Sequence, residues 1–348
     1  MPLKSTRAVR LVSYPQGLPE RENFEIVEVP LESPQDGDVL VQNLWMTVDP
    51  YMRGRMRPGK SYVDAFEIGA ILDGEAIGKV IESNSPDFKV GDEVRSYLGW
   101  REAFVSPGQG LQKVPDVGVP SQAFLGVLGM PGLTAWVGLL EIGQPKEGET
   151  VFVSAASGAV GSLVCQIAKI KGCHVVGTAG SDDKVRWLLD EIGIDHAINY
   201  KTTDSLSKAL RDVCPDGIDV YFENVGGEHL TAALDAINNF GRIAVCGMIS
   251  QYNATKAVPG PANLTNVIAK RLRIQGFIVS DHFDSYPAFL NDMKTWMAEG
   301  KIKWKETVLD GLDNAPQAFL NLFSGDNFGK MLVRLSSSAK DQEGSFKD

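Results

Sequence analysis

Residues 151–161 read VFVSAASGAVG, and this stretch decides the fold. A short apolar run ends in small residues and two glycines. It then opens an apolar stretch with helical spacing from Ser162 to Lys171. The pattern predicts a strand, a phosphate-binding loop and a helix. Gly158 and Gly161 carry no Cβ, so backbone approaches a pyrophosphate closely and the helix packs tightly on the strand. The amide hydrogens at the helix start then face the anion. Ala156 stands in the first position of the usual G-x-G-x-x-G, so the loop by itself also suits an ordinary strand-helix turn.

The sequence downstream decides between these readings. HVVGTAG (174–180), HAINY (196–200), IDVYFENVGG (218–227), GRIAVCGMIS (241–250) and RIQGFIV (273–279) are short runs rich in β-formers. Helix-length segments such as DDKVRWLLDEIG (182–193) and SLSKALRDV (205–213) separate most of them. Alternation of this kind predicts a parallel sheet covered on both faces. Six strands with the glycine loop after the first describe an α/β, doubly wound, dinucleotide-binding domain of the Rossmann kind. Ligands of such sheets bind beyond the carboxyl ends of the strands, which makes the small and polar residues there the candidates.

Residues 8 to about 125 differ. AVRLVSY, FEIVEVPL, DVLVQNLWMTV, EAIGKVIES and DEVRSYLGW place β-formers between Pro, Gly and Asp turns, without helix-length stretches. They predict an all-β, barrel-like module. GMPGLTAWVGLLEIG (129–143) is expected to be a bridging helix, and YPAFLNDMKTWMAEGKI (286–302) another. The last part, from Trp304 to Leu335, offers strand, helix and strand, the final strand returning to the β module.

A chain of 348 residues with 43% apolar content has material for two cores. The net charge of −10, with no compensating basic run, argues against nucleic acid or an anionic membrane as partner. Cys165, Cys173, Cys214 and Cys246 fit neither a metal clip nor a disulfide framework. Buried reduced thiols and a cytoplasmic chain are the expectation. The first residues show no signal-type apolar core, no run reaches transmembrane length, and the polar tail SSSAKDQEGSFKD is expected to fray.

The order of β module, glycine-loop sheet and returning terminal segment resembles the medium-chain dehydrogenase/reductase superfamily. DPYMRGRM (49–56), GMPGLTA (129–135), AASGAVGS (155–162), ENVGG (223–227), CGMISQY (246–252), GFIV (276–279) and NFGKMLV (327–333) narrow the resemblance. Together they are similar to the zinc-free leukotriene dehydrogenase group, with its prostaglandin reductases, plant alkenal double-bond reductases and bacterial curcumin reductases. The resemblance spans nearly the whole chain. It implies a GroES-like catalytic domain (1–128 and 306–348), a Rossmann domain (129–305), a homodimer, and reduction of the carbon-carbon double bond of α,β-unsaturated aldehydes or ketones by NADPH.

Zinc-using relatives carry Gly-His-Glu where this chain has Asp73-Gly74-Glu75, and no cysteine precedes residue 165. The imidazole ligand and the four-cysteine structural lobe are both missing, so no metal is expected. His174, His196, His229 and His282 are scattered, without ligand-like spacing.

The second strand runs into Gly177-Thr178-Ala179-Gly180-Ser181, with no carboxylate before Asp182 and Asp183. A ribose-binding acid is therefore absent, which favours a 2′-phosphate. Lys184 is either a solvated helix lysine or that phosphate's partner, and the resemblance favours the partner. By the same resemblance Tyr200 bounds the adenosine phosphate and Asn224 contacts ribose or the nicotinamide side. Thr134, Gly158, Ala159, Val160 and Gly161 join the cofactor set. Cys246, Gly247, Met248, Ile249, Ser250, Gln251 and Tyr252 border the nicotinamide with Phe277, Ile278 and Val279, and Asn327 closes over the cofactor.

Reducing an enone puts negative charge on the carbonyl oxygen, so a hydroxyl donor is needed there. Tyr252 is the first candidate as enolate stabiliser or proton relay. Tyr51 is the second, and Tyr51 and Tyr62 are expected to shape the substrate pocket. Two alternatives stand beside the enone reductase: an NADPH-dependent quinone reductase, and a cofactor-binding protein without catalysis.

Overall fold

The computed structural model describes residues 4–336; the expected fraying of the tail lies, beyond Ser336, outside the described residues. The chain begins with β1 (Ser5–Leu11), β2 (Phe24–Pro30) and β3 (Val39–Thr47), and a one-turn helix α1 (Met52–Arg55) follows. Next come β4 (Ala76–Ser83), β5 (Glu93–Ser96), β6 (Ala103–Ser106), β7 (Gln112–Lys113) and α2 (Met130–Trp136). Strands and helices then alternate: β8 (Thr150–Val153), α3 (Gly161–Ile170), β9 (His174–Ala179), α4 (Asp182–Trp187), β10 (His196–Asn199), α5 (Leu206–Val213). β11 (Ile218–Glu223), α6 (Gly227–Ala236), β12 (Ile237–Val245), α7 (Asn266–Ala269) and β13 (Arg273–Gly276) complete the run. The end of the described chain is α8 (Tyr286–Ala298), β14 (Glu306–Asp310), α9 (Ala315–Ser324) and β15 (Lys330–Arg334).

Two compact units result. One holds the chain up to Leu125, Glu306–Asn327 and the described residues from Met331 on; the other holds Gly126–Lys305 with Phe328–Lys330. In the first unit β1 and β2 form an antiparallel pair. A second sheet has the order β14-β15-β3-β4-β5-β7, with β6 also paired to β3. β3 alternates little in burial because it is central and covered, which suits its run of Val, Leu, Trp and Met. A core of Val9, Met46, Met52, Trp100, Phe319 and their neighbours fills this unit, with Phe24 stacked on Trp100 at 6.0 Å. β15 pairs with β3 antiparallel, Leu332 opposite Thr47, so the last strand does return to the β module.

The second unit is a six-stranded parallel sheet in the order β10-β9-β8-β11-β12-β13. The first strand of the sequence sits in the middle and the order reverses beside it, which is the doubly wound arrangement with its ligand crevice at the reversal. Val151, Phe152 and Val153 on β8 are fully buried, as a strand with helices on both faces requires. Two helices differ from the regular α-helices that their sequence spacing suggests. The segment after α2 widens into π-type turns over Val137–Gly143, and the one after α4 does so over Leu188–Ile192. At the first of these Gly138 meets the rings of Phe222 and Phe277, so the wider turn accommodates a close aromatic approach. Among the described residues no helix is long and apolar enough to cross a membrane.

Candidate active site

In the sheet unit the glycine loop follows β8 and α3 opens at its end. A Cβ on Gly161 would lie 2.3 Å from the carbonyl oxygen of Ala155, so only glycine lets the helix start this close to the strand. Ala155 itself has φ of +49°, a sharp turn at the loop's entry. Gly158, Ala159, Val160 and Gly161 thus form a tight turn into a helix N-terminus, a shape that suits a pyrophosphate. The tripeptide Phe328–Lys330 lies against this loop: Gly329 donates its N–H to the Ser157 carbonyl at 3.0 Å.

At the end of β9, the Ser181 hydroxyl caps α4 by accepting the Lys184 N–H at 3.4 Å. The two acids beside Lys184 are already engaged. Asp182 accepts from Asn199 at 2.7 Å, and Asp183 pairs with Arg186. The Tyr200 hydroxyl lies over Gly180, where a Cβ would come within 3.1 Å of it. Behind Tyr200 stands the buried His229, ring to ring at 5.1 Å. Burial lowers the His229 imidazole to about 4, so it is neutral at ordinary pH.

The ends of β8 and β11 are tied together by a carboxylate that the motif reading overlooked. Glu223 is fully buried, and its Oε1 accepts from the Tyr221 hydroxyl at 2.7 Å, the N–H groups of Val225 and Gly226 at 2.7 and 2.8 Å, and Ser154 at 3.2 Å. Desolvation outweighs these bonds and raises its pKa. Asn224 donates its side-chain N–H to the Ser154 carbonyl at 2.8 Å, which fixes the residue expected at the ribose. An acid at the end of the otherwise apolar strand IDVYFE was the available signal for Glu223.

The Cys246–Tyr252 loop follows β12 and is held to the β11 turn. The Ile249 and Ser250 N–H groups donate to the carbonyls of Asn224 and Val225 at 3.1 and 3.0 Å. Met248 and Gln251 abut Gly226. The Tyr252 hydroxyl reaches back over Gly247, where a Cβ would come within 2.7 Å of it. The Tyr252 hydroxyl thereby lies beside Gly247, just past the carboxyl end of β12. Cys246 is half-buried, unlike the other three cysteines, and burial with Glu223 nearby pushes its thiol up to about 12. The ring of Phe277 packs edge-on to Phe222 at 6.4 Å; Ile278 and Val279 continue from it. Thr134 turns its hydroxyl back to the Met130 carbonyl at 2.8 Å inside α2.

In the β unit Tyr51 leads into α1 and packs on the unit's core. Burial, then the charges of Asp49 and Glu75, raise its pKa well above the usual phenol value, so the hydroxyl keeps its proton. Tyr97 neighbours the same carboxylate and is raised to about 12, chiefly by burial. Tyr62 is 59% exposed, and Asn327 belongs to this unit.

At the zinc ligand position of the wider superfamily stands Gly74, packed beside Met52 and Trp100. A Cβ on Gly74 would lie 2.8 Å from the Met52 methyl and 3.2 Å from the Trp100 indole nitrogen, so a side chain there would first have to displace the Met52 methyl. Among the described residues no three His, Cys, Asp or Glu side chains are grouped to hold a metal.

Two family descriptions match the chain: "N-terminal domain of oxidoreductase" over residues 7–114, and "Zinc-binding dehydrogenase" over residues 159–295. The NADPH-dependent curcumin reductase of Escherichia coli is 45% identical over 94% of this chain and 96% of its own length. The 2-alkenal reductase (NADP(+)-dependent) of Nicotiana tabacum is 48% identical over 95% of this chain and 98% of its own. This chain belongs to their family, the zinc-independent branch of the medium-chain dehydrogenases/reductases. The crystal structure of CurA in complex with NADPH from Vibrio vulnificus superposes with a TM-score of 0.90 at 42% identity, over 95% of this chain and all of that one. The description "zinc-binding" matches residues 159–295 and does not extend to residues 73–75, where Gly74 supplies no ligand.

Proposed function

We propose that this chain is an NADPH-dependent reductase of the carbon-carbon double bond in α,β-unsaturated aldehydes and ketones. The observation that carries the reading is the Tyr252 hydroxyl, folded back over Gly247 at the carboxyl end of β12 in a sheet of nucleotide-binding order. The kinship with curcumin and alkenal reductases supplies the substrate class. NADPH, when bound, supplies the hydride. The glycine loop at 158–161 holds its pyrophosphate, Lys184 its 2′-phosphate and Tyr200 the adenosine side, while Asn224 and residues 246–252 and 277–279 border the nicotinamide, with Asn327 contributing from the terminal segment.

Hydride arrival at the β carbon moves charge to the carbonyl oxygen, and Tyr252 donates a hydrogen bond to that oxygen as the charge grows. Tyr51, held neutral by burial, is a second donor and with Tyr62 shapes the substrate side. No metal takes part in this scheme; polarisation of the carbonyl falls to hydroxyl groups. The test is NADPH oxidation against an alkenal, an aryl enone and a quinone. Turnover of the first two with conversion to the saturated carbonyl supports the reading, and turnover of the quinone alone replaces it with the quinone reductase.

We also propose a homodimer built on the edge strand β13. Arg273–Gly276 are all exposed, β13 closes the order of the sheet, and Ile274 and Ile268 expose 39% and 81% of their surface beside it. A second copy adding its own edge strand covers this apolar surface and completes the main-chain bonding. Ile268→Asp with Ile274→Lys is expected to shift the mass in light scattering from two chains to one; an unchanged mass removes β13 from the interface.

A further inference from the structure

The motif DPYMRGRM contains two arginines that the proposed chemistry leaves unused, and both are buried. Arg53 donates to the Gly17 carbonyl at 2.8 Å, which ties the 15–17 turn to α1. Arg55 does more. Its Nε donates to the Asp64 carbonyl at 2.8 Å, its guanidinium pairs with both carboxylate oxygens of Asp73, and its plane lies 3.9 Å from the centre of the Phe66 ring. Its own carbonyl accepts the Phe66 N–H at 2.8 Å, and the Phe66 carbonyl accepts the Tyr14 hydroxyl at 2.7 Å.

These bonds close a loop. Met56 and Phe66 are buried at its two feet, whereas Arg57 to Tyr62 between them are exposed. Arg57 to Tyr62 form neither helix nor strand, and the loop joins the core at its feet. A guanidinium is suited to this because its planar fork serves a carboxylate, a carbonyl and an aromatic face at once, which an ammonium cannot do.

We propose that Arg55 is the positioning residue that sets substrate scope: by clamping both feet of the 57–65 loop it fixes where Tyr62 and its neighbours stand. The proposal rests on the enone reductase reading, with this loop on the substrate side. Loss of the clamp leaves the reacting end of a small substrate untouched but misplaces the surface met by a long or aromatic tail. The loss therefore falls on KM for large substrates, with kcat and NADPH binding preserved.

The experiment compares wild type, Arg55→Lys, Arg55→Met and Asp73→Asn with a four-carbon alkenal, a nine-carbon alkenal and an aryl enone. NADPH affinity is measured by fluorescence, and trypsin cleavage after Lys60 by mass spectrometry; Arg57 precedes proline and resists the protease. The expected result is a rise of about tenfold in KM for the nine-carbon and aryl substrates in both Arg55 variants. The same variants keep kcat for the four-carbon alkenal and NADPH affinity, and cleavage after Lys60 becomes faster. Asp73→Asn keeps the acceptor shape, holds Arg55 more weakly and gives the same trend at smaller size, so it stands in for any Arg55 variant that fails to fold. A uniform fall for all three substrates, or unchanged cleavage after Lys60 in folded variants, overturns the proposal. Wild-type protein that binds NADPH but reduces none of the three overturns the enone reading instead.

Discussion

In the sheet unit the loops are shaped by close approach of backbone. A Cβ at Gly161 would lie 2.3 Å from the Ala155 carbonyl, and one at Gly247 2.7 Å from the Tyr252 hydroxyl. In the β unit the corresponding task falls to buried cations: Arg53 and Arg55 reach the carbonyls of Gly17 and Asp64, and Asp73 neutralises the second of them. The difference lies in how each unit fixes its loops, one by backbone that admits only glycine and the other by side chains. A glycine contact as close as that of Gly161 leaves the turn no alternative packing, which suits the unvarying geometry of the proposed pyrophosphate. A side-chain clamp is replaceable, so the loop it holds is open to change while the barrel beneath it stays the same.

The largest effect that would sharpen this contrast is expected at Gly161. Gly161→Val forces the helix start away from Ala155 and should weaken NADPH binding by more than about 100-fold, with destabilisation of roughly 1–3 kcal/mol from overpacking. Isothermal titration and urea unfolding measure both; tight binding by the variant would break the comparison. Tyr252→Phe comes next, because it removes a hydroxyl and leaves the loop packing intact. Enone kcat should fall on the order of 100-fold while NADPH affinity is unchanged. Steady-state kinetics at saturating enone decide, and wild-type turnover would move the donor role to Tyr51.

Lys184→Ala probes a side chain within the glycine-built unit. A charge-assisted contact contributes roughly 1.5–3 kcal/mol, so NADPH affinity should drop about 10- to 100-fold while NADH binding barely changes. Equal losses for both nucleotides would mean that the helix start itself has been disturbed.

The smallest effect concerns His229, buried behind Tyr200 and lowered to about 4 from its ordinary 6.5. The unfolded chain binds its proton first as pH falls, so this residue's contribution is intact above pH 6.5 and is lost progressively between 6.5 and 4. From pH 7.5 to 5.5 the loss amounts to roughly 1 kcal/mol. Urea midpoints for wild type and His229→Phe at the two pH values should diverge by that amount, and parallel midpoints would show that the imidazole does not titrate on unfolding.

The sheet unit was the more legible of the two. VFVSAASGAVG and the five later β-rich runs alternate with helix-length segments, a pattern readable from neighbouring residues, and the strands they mark form the six-stranded sheet. The return of β15 to β3 was also readable, because a strand pattern at the chain's end needs a sheet to join. Glu223 was harder: its importance lies in gathering Tyr221, Ser154, Val225 and Gly226 around one oxygen, and Ser154 stands 69 positions away in the sequence. The absence of a zinc ligand at residues 73–75 was legible, but the packing of Met52 and Trp100 around Gly74 was not.

What the sequence determined by itself was therefore whatever is encoded over one or two elements: the alternation of strands and helices, the glycine loop, the missing ligand histidine, and the lack of an acid at the end of β9 before Asp182. What only the tertiary structure decided was which side chains meet over long separations. The Arg55 clamp on Asp64 and Asp73, the ring of His229 behind Tyr200 and the Tyr252 hydroxyl over Gly247 all arise when packing brings separate turns together. Local periodicity is written into neighbouring residues because the backbone's own geometry reads it. A buried polar contact is specified by the fold as a whole, since its partners are chosen by distance in space and by the cost of leaving a buried group unpaired.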